Sequence, residues 1–158
     1  MPVNAAAPGT ATSKPNLAAR DQLLCPSARP EMDGSFVFGV IDGPVSAPLV
    51  AYLAQPQPVT DDLLLMTQPA APTEVFRFAA PCVGTDCQHF DGTNCQLAAR
   101  IAKALPQAVD GLPPCAIRPS CRWWNQEGKA ACLRCPQVVS LSYMPSDSLR
   151  YAATPVET

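Results

Sequence analysis

Short runs of apolar residues, separated by prolines and glycines, make up much of the first half of the chain. Residues 36–41 and 49–53 are rich in β-branched and aromatic side chains, and Asp42, Gly43 and Pro44 lie between them. This pattern predicts two strands joined as a hairpin. Residues 73–78 carry a similar apolar run and are predicted to form a further strand.

The helices are predicted to be short, because the 158-residue chain contains 19 prolines, and proline removes a backbone donor. Thr60 precedes two acidic residues and an apolar run, which predicts the N-cap of a short helix that Pro69 ends. Asn94 is predicted to cap a longer helix that ends at Pro106. The apolar face of that longer helix consists of Leu97, Ile101, Ala104 and Leu105.

Seven of the eight cysteines lie within residues 82–135. Two short helical segments are predicted there, over 119–127 and 129–134, followed by a strand-like run over 138–143 and a frayed tail. Thiols at this density either form disulfides in an exported domain or bind metal. The N-terminus has no basic start followed by an apolar run, so we expect a cytoplasmic protein with reduced thiols. The predicted metal ligands are Cys82, Cys87, Cys95, Cys115, Cys121, Cys132 and Cys135.

An iron–sulfur cluster is favoured over zinc as the bound group. Each iron of a cubane takes one terminal thiolate, so the ligands converge from separate segments. Cys132, Cys135 and Pro136 match a fragment of the ferredoxin-type run that ends in Cys-Pro. One zinc site could combine that pair with Cys82 and Cys87, but three of the clustered cysteines would then be unused. Disulfides remain a third possibility.

Other residues allow two interpretations each. Cys25 is predicted to be a buried, unpaired thiol, and the alternative is an eighth ligand. Two clusters would need eight ligands, and therefore Cys25 or His89. The single histidine, His89, is predicted to be an ordinary polar residue on a turn, with metal ligation as the alternative. Trp123 and Trp124 are expected either to pack in the core or to keep water from a cluster.

The charge pattern suits a negatively charged centre. Residues 82–135 contain six basic and four acidic side chains, a net charge of +2, whereas the whole chain has −2. Arg118, Arg122 and Arg134 each follow or precede a cysteine closely and could donate hydrogen bonds to cluster sulfurs or face an acidic partner. The near-neutral chain argues against nucleic acid as a partner, and no run of 18 apolar residues is present to span a membrane.

These features predict a small, loop-rich α+β domain with a short antiparallel sheet, a few short helices and a cysteine-ligated metal lobe. Residues 1–20 have few large side chains and are predicted to be a disordered leader. Residues 21–80 are predicted to hold the sheet and one helix. Residues 81–150 are predicted to hold the metal lobe, packed with the first part as one compact domain.

Two stretches, CQHFDGTNC (87–95) and CAIRPSCR (115–122), resemble small bacterial proteins described as zinc- or iron-chelating CxxxCxxC proteins. In that family a cysteine, a short loop and another cysteine are followed by an Arg-Pro-x-x-Cys-Arg ending. Here the ending is one residue tighter, and the leading CxxxCxxC is missing. More broadly, residues 73–139 resemble small bacterial proteins loosely labelled nitrogen-fixation proteins. Both resemblances imply bound metal, and neither implies a substrate.

The predicted function is electron transfer, or an accessory role for a bacterial redox or biosynthetic enzyme, with a [4Fe–4S] cluster as the favoured cofactor. The alternative is a structural zinc module in which Trp123, Trp124 and the nearby arginines bind a protein. A protein partner is expected in both cases. No acid–base constellation, phosphate loop or nucleophile elbow accompanies the thiols, so the sequence does not predict an enzyme.

Overall fold

The computed structural model describes residues 23–44, 46–139 and 146–155, and the predicted leader lies outside them. Four strands form one antiparallel sheet in the order β1-β4-β2-β3, which confirms the predicted α+β class. The strands are β1 (Leu24–Ala28), β2 (Phe36–Asp42), β3 (Leu49–Pro58) and β4 (Phe76–Pro81).

The predicted hairpin is confirmed as β2 and β3, which pair from Asp42 opposite Leu49 to Phe36 opposite Pro58. The next strand, β4, begins later than the predicted residue 73. Pro72–Val75 form a helical turn instead, in which the Glu74 carboxylate accepts a hydrogen bond from the Ala71 N–H at 2.6 Å. Proline at the start of this turn and a carboxylate that reaches back favour the helical conformation over a strand.

The described part of the chain has six short helices around the sheet. They are α1 (Asp61–Leu65), α2 (Pro72–Val75), α3 (Gln96–Ala104), α4 (Arg122–Glu127), α5 (Lys129–Cys132) and α6 (Asp147–Ala153). The predicted cap of α1 is confirmed, because the Thr60 hydroxyl accepts a hydrogen bond from the Leu63 N–H at 3.1 Å. In α3, three of the four predicted apolar positions are buried, and the helix ends ahead of Pro106.

The predicted cap of α3 is wrong, since Cys95 rather than Asn94 is the N-cap, and its sulfur accepts from the Ala98 N–H at 3.4 Å. The start of α4 is also later than predicted, because Arg118–Ser120 form a separate 3-10 turn. Of the predicted last strand, residues 140–143 lie outside the described residues, and Val138 and Val139 are not in a strand.

Besides the Pro72–Val75 turn, two further elements were not predicted. The edge strand β1 is only five residues long, and α6 lies in a stretch that was expected to fray. Helix α6 has a local signal, because the Ser146 hydroxyl caps it by accepting from the Leu149 N–H at 3.1 Å. Its buried Ala152 also receives a hydrogen bond on its carbonyl from the Arg100 Nε of α3, at 2.9 Å.

Apolar side chains cover both faces of the sheet. One face, with Phe36 and Phe38, packs against α3, α4, α5 and α6 in the larger core, which also contains Trp123 and three of the cysteines. The other face, with Val37 and Phe78, forms a smaller core beneath α1. The sheet and the cysteine-rich region therefore share one core, and the cysteines lie where the helices meet the sheet.

Candidate metal centre

The eight cysteines are free thiols that divide into two groups of four, each lining one cavity. The inner group consists of Cys115, Cys121, Cys132 and Cys135. The outer group consists of Cys25, Cys82, Cys87 and Cys95. In the described ranges, no three cysteine, histidine, aspartate or glutamate side chains are placed so that they could hold a metal ion. Metal binding would therefore require the thiols of a group to move toward a common centre.

Local structure after residue 120 brings the inner thiols together. Cys121 is the N-cap of α4, and Cys132 is the last residue of α5. Gly128 lies between these helices with φ +65°, a left-handed conformation that glycine adopts without steric cost. The reversal at Gly128 lets Cys132, and then Cys135 at the start of a 3-10 turn, return to the cavity that Cys121 lines.

An apolar shell surrounds the inner group. Phe38 and Tyr52 stack with ring centroids 5.6 Å apart, and both line the inner cavity together with Ile117 and the fully buried Trp123. Burial raises the pKa of the Cys121 thiol, because a thiolate would lose its hydration there. Burial likewise raises the pKa values of the Cys115 and Cys132 thiols. Without a bound cation, these thiols are neutral at physiological pH.

Arg77 in β4 is fully buried beside the inner group. Its Nε donates to the Pro26 carbonyl at 2.6 Å, and its Nη1 donates to the carbonyls of Cys135 (3.0 Å) and Val138 (2.8 Å). Its Nη2 donates to the Cys135 sulfur at 3.3 Å. The guanidinium lies 5.4 Å from the ring centroids of Phe38 and Trp123. Within the described part of the chain, no carboxylate forms an ion pair with it.

A second guanidinium, that of Arg118, lies near the inner group. It is 5.5 Å from the Trp124 ring centroid, and its Nη2 donates to the Pro113 carbonyl. Its Nε is buried without a hydrogen-bond partner. Arg118 also favours the thiolate form of Cys132, opposing the effect of burial on the pKa of that thiol. Two arginines therefore provide positive charge around four thiols.

Four separate segments deliver the outer group. Cys25 lies on β1, and Cys82 follows β4, where its N–H donates to the Leu23 carbonyl at 2.8 Å. Cys87 ends a 3-10 turn, and Cys95 caps α3. The amide of Gln126 in α4 holds Cys95 in place, accepting from its N–H and donating to its carbonyl, both at 2.8 Å.

Donors also point at the outer sulfurs. Arg122 Nε donates to the Cys82 sulfur at 3.1 Å, and the His89 backbone N–H lies 3.4 Å from the Cys87 sulfur. The His89 imidazole contacts Arg100 of α3, with its Nδ1 3.0 Å from Arg100 Nη2. Partial burial and Arg100 lower the pKa of His89, so the neutral ring accepts this hydrogen bond. His89 thus contacts the Cys87 sulfur through its backbone N–H and Arg100 of α3 through its ring.

The structure brings together the seven predicted ligands, but in two groups rather than one. The pairs Cys82/Cys87 and Cys132/Cys135, which the sequence suggested for a single zinc site, line different cavities. Cys25, predicted to be an unpaired thiol, lines the outer cavity with three other cysteines. Its signal in the sequence was the total of eight cysteines, which is enough for two sets of four.

No protein-family model, curated protein or solved structure matches the chain. Its function is therefore inferred from its own geometry. Among the helices of residues 23–44, 46–139 and 146–155, none combines the length and the apolar character that crossing a membrane would require.

Proposed function

We propose that the chain binds a [4Fe–4S] cluster through the inner group and acts in electron transfer, as a carrier or as an accessory to a redox or biosynthetic enzyme. The observation that carries this proposal is the buried Arg77 guanidinium, which donates to the Cys135 sulfur and has no ion-pairing carboxylate among the described residues.

A buried cation is costly unless an anion compensates it. Arg77 stays protonated, because arginine has a very high intrinsic pKa; burial lowers the pKa of this guanidinium, but Cys135 and Tyr52 more than offset that and raise it. Because burial raises the pKa values of the Cys115, Cys121 and Cys132 thiols, these three thiols stay neutral and do not supply the missing negative charge. Four thiolates bound to a cluster would leave a net negative centre, which would compensate the guanidinium in a low-dielectric environment.

The remaining residues of the shell suit an electron-transfer site. When bound, the cluster supplies one-electron redox chemistry, at a potential set by hydrogen bonds to its sulfurs and by exposure to solvent. Phe38, Tyr52 and Trp123 exclude water from the inner cavity. The Arg77 Nη2 donates to a sulfur, an interaction that stabilises the more negative reduced state and so raises the potential.

A structural zinc ion is the second candidate, and the volume of the inner cavity favours it. That volume is about 20 Å³, which suits an ion better than a cubane while the thiols keep their present rotamers. Against zinc, the inner group contains only one pair with a two-residue gap, Cys132 and Cys135, whereas structural zinc sites usually use two close pairs. In that case the bound ion would stabilise the fold rather than carry electrons.

Metal and sulfide analysis after anaerobic purification, with a visible spectrum, tests the proposal. Brown protein with about four iron and four sulfide ions per cluster is the expected result, and a redox titration should then give a reversible one-electron step. Colourless protein with stoichiometric zinc would reject the cluster in favour of zinc. Cys135→Ser should lower the iron content, and the matched control Ala116→Ser, at an exposed position near Cys115, should not.

A further inference from the structure

We propose that the outer cavity binds a small monocarboxylate with an apolar body, and that the Arg122 guanidinium recognises the carboxylate. This site is separate from the inner group, so the proposal does not depend on the function proposed above. It depends on the size of the cavity, on the apolar side chains that line it, and on the charges around it.

The outer cavity has the size of a small-molecule site. Its volume is about 860 Å³, whereas the inner cavity measures about 20 Å³. Ligand pockets in proteins typically occupy roughly 300–1,000 Å³. Residues of β1, of the loop after β4 and of α3, α4 and α6 line the outer cavity, so it lies where the sheet and the helices meet. An organic molecule fits this space, and it does not fit the inner one.

Apolar side chains that the fold leaves partly uncovered line the outer cavity. Val83 is 47% exposed, and Phe90 and Leu149 are each only partly buried. The buried side chains of Leu97 and Val138 also line it. Removal of apolar surface from water is favourable, so an apolar chain or ring of a ligand would be stabilised here.

The charges around the cavity favour an anion. Among the described residues, one acidic side chain, Asp86, lines it, against three arginines: Arg29, Arg122 and Arg150. Arg29 and Arg150 each form an ion pair with a carboxylate on the surface. Arg122 forms none within the described part of the chain, so its positive charge is free to pair with a ligand.

Arg122 is held in place while part of its guanidinium stays unused. Its Nε donates to the Cys82 sulfur at 3.1 Å, and the guanidinium lies 5.1 Å from the ring centroid of Phe90. Its Nη1 and Nη2 atoms donate to no group of the described residues. A guanidinium presents such donors in a planar fork that matches a carboxylate. Because two contacts already hold this side chain, it loses little conformational freedom when a ligand binds.

The single unpaired cation favours a carboxylate over a phosphate. A phosphate group carries up to two negative charges and three acceptor oxygens, which several cations or backbone N–H groups usually satisfy. One unpaired guanidinium balances the single charge of a carboxylate. The ligand class is therefore an aliphatic or aromatic monocarboxylic acid.

Isothermal titration calorimetry of the full chain tests the site, with octanoate as the probe and octanamide as its neutral counterpart of the same length. Octanoate should bind once per chain. Octanamide should bind about tenfold more weakly or worse, because it lacks the charge-assisted hydrogen bonds to Arg122. Acetate, which has the charge without the apolar body, should also bind more weakly than octanoate. Tighter binding of octyl phosphate than of octanoate would overturn the assignment of a carboxylate.

Arg122→Gln should weaken octanoate binding about tenfold or more and leave octanamide binding unchanged, which removes the preference for the anion. The matched control is Arg150→Gln, which changes another arginine of the same cavity, one that already pairs with Asp147. It should keep the octanoate affinity within about threefold of the wild type. Circular dichroism shows whether both variants are folded.

Three results would overturn the proposal: no saturable binding of octanoate, equal affinity of the wild type for octanoate and octanamide, or wild-type octanoate affinity in folded Arg122→Gln. The comparison of the two probes on the wild type needs no variant, so it decides the question even where Arg122→Gln does not fold. Iron and sulfide analysis of the same preparations separates the two proposals. Protein with a cluster and no preference for octanoate rejects only this site, and metal-free protein that prefers octanoate rejects only the cluster.

Discussion

Arg77 is buried in β4, where all of its observed hydrogen bonds go to carbonyls or to a cysteine sulfur. One side chain thus connects β1, through the Pro26 carbonyl, with the segment that carries Cys135 and Val138. It satisfies three buried carbonyls and supplies the positive charge of the inner site. Loss of this guanidinium should therefore affect both the stability of the fold and the properties of the bound group.

Arg77→Gln should lower the free energy of unfolding by about 3 kcal/mol or more, because it removes the charge and leaves buried carbonyls without donors. Arg77→Lys should lose less stability, and in the loaded protein should lower the reduction potential, because it keeps the charge but loses the fork of donors. Urea unfolding and redox titration measure the two effects. Equal stability for Arg77→Gln and the wild type would contradict the role assigned to Arg77.

The control for Arg77 is Arg150→Gln. Arg150 pairs with Asp147 at 2.6 Å on the surface, where an ion pair contributes little, so the change should be within about 0.5 kcal/mol.

Cys25 allows a prediction for the metal-free protein. Burial raises the pKa of its thiol from 9.0 to about 12, so in this range the folded state holds a proton that the unfolded state has lost. Its contribution to stability is complete below pH 9.0 and is lost as the pH rises toward 12, by about 1.4 kcal/mol per pH unit. Urea unfolding of the reduced apoproteins across this pH range should show that the free energy of unfolding falls more steeply with pH for the wild type than for Cys25→Ala. Equal pH dependence of the free energy of unfolding in the two proteins would contradict the raised pKa of the Cys25 thiol.

Helix α3 connects secondary structure with ligand chemistry, because its N-cap is an outer-group cysteine. The sulfur of Cys95 occupies the position that a serine or aspartate oxygen usually has at a helix start. Gln126 joins this cap to α4, whose own N-cap is the inner-group Cys121. A cysteine of the outer group therefore caps α3, and a cysteine of the inner group caps α4.

Substitutions at Cys95 should separate capping from ligation. Cys95→Ser keeps an acceptor for the Ala98 N–H, so the free energy of unfolding of the apoprotein should change by no more than about 0.5 kcal/mol. Cys95→Ala removes the acceptor and should lower that free energy by about 1 kcal/mol. Both variants should also lower the iron content, because Cys95 is one of the ligands predicted from the sequence. Denaturant unfolding of the apoproteins and iron analysis give the two measurements. Full iron content in Cys95→Ala would remove this residue from the ligands.

At the scale of the whole molecule, each cysteine group joins distant parts of the chain. The outer group joins β1 to α3, and the inner cavity joins the sheet residues Phe38 and Tyr52 to α4 and α5. A bound centre would therefore act on the fold as a cross-link between the sheet and the helices. A ligand that binds only the folded state raises its stability in proportion to its affinity and concentration.

Removal of the metal should lower the melting temperature by several degrees, since about 1 kcal/mol corresponds to roughly 2–8 °C for domains of this size range. Differential scanning calorimetry of the loaded protein, of the apoprotein after chelation, and of the reconstituted protein measures this. Reconstitution should restore the original melting temperature. Identical melting of the loaded protein and the apoprotein would exclude a structural role for the centre.

Local chemistry in the sequence determined the hairpin of β2 and β3, the capped helix α1 and the apolar face of α3, because strand pattern, caps and periodicity depend on neighbouring residues. The same local rules failed for β1, a five-residue edge strand whose buried positions are Leu24, Pro26 and Ala28, because proline and alanine are uncommon in strands. They also failed for the cap of α3, since a cysteine sulfur there is uncommon and Asn94 is an ordinary capping residue.

The sequence by itself also determined the number and the kind of candidate ligands, eight thiols with excess positive charge around seven of them. Only the tertiary structure decided how these thiols divide. Spacing along the chain places Cys25 far from Cys82, whereas the pairing of β1 with β4 brings their strands side by side, with Leu24 opposite Pro81. Arg77 has no local signal at all, because its role depends on burial against Trp123 and Cys135, which the chain reaches only after a further 46 residues or more.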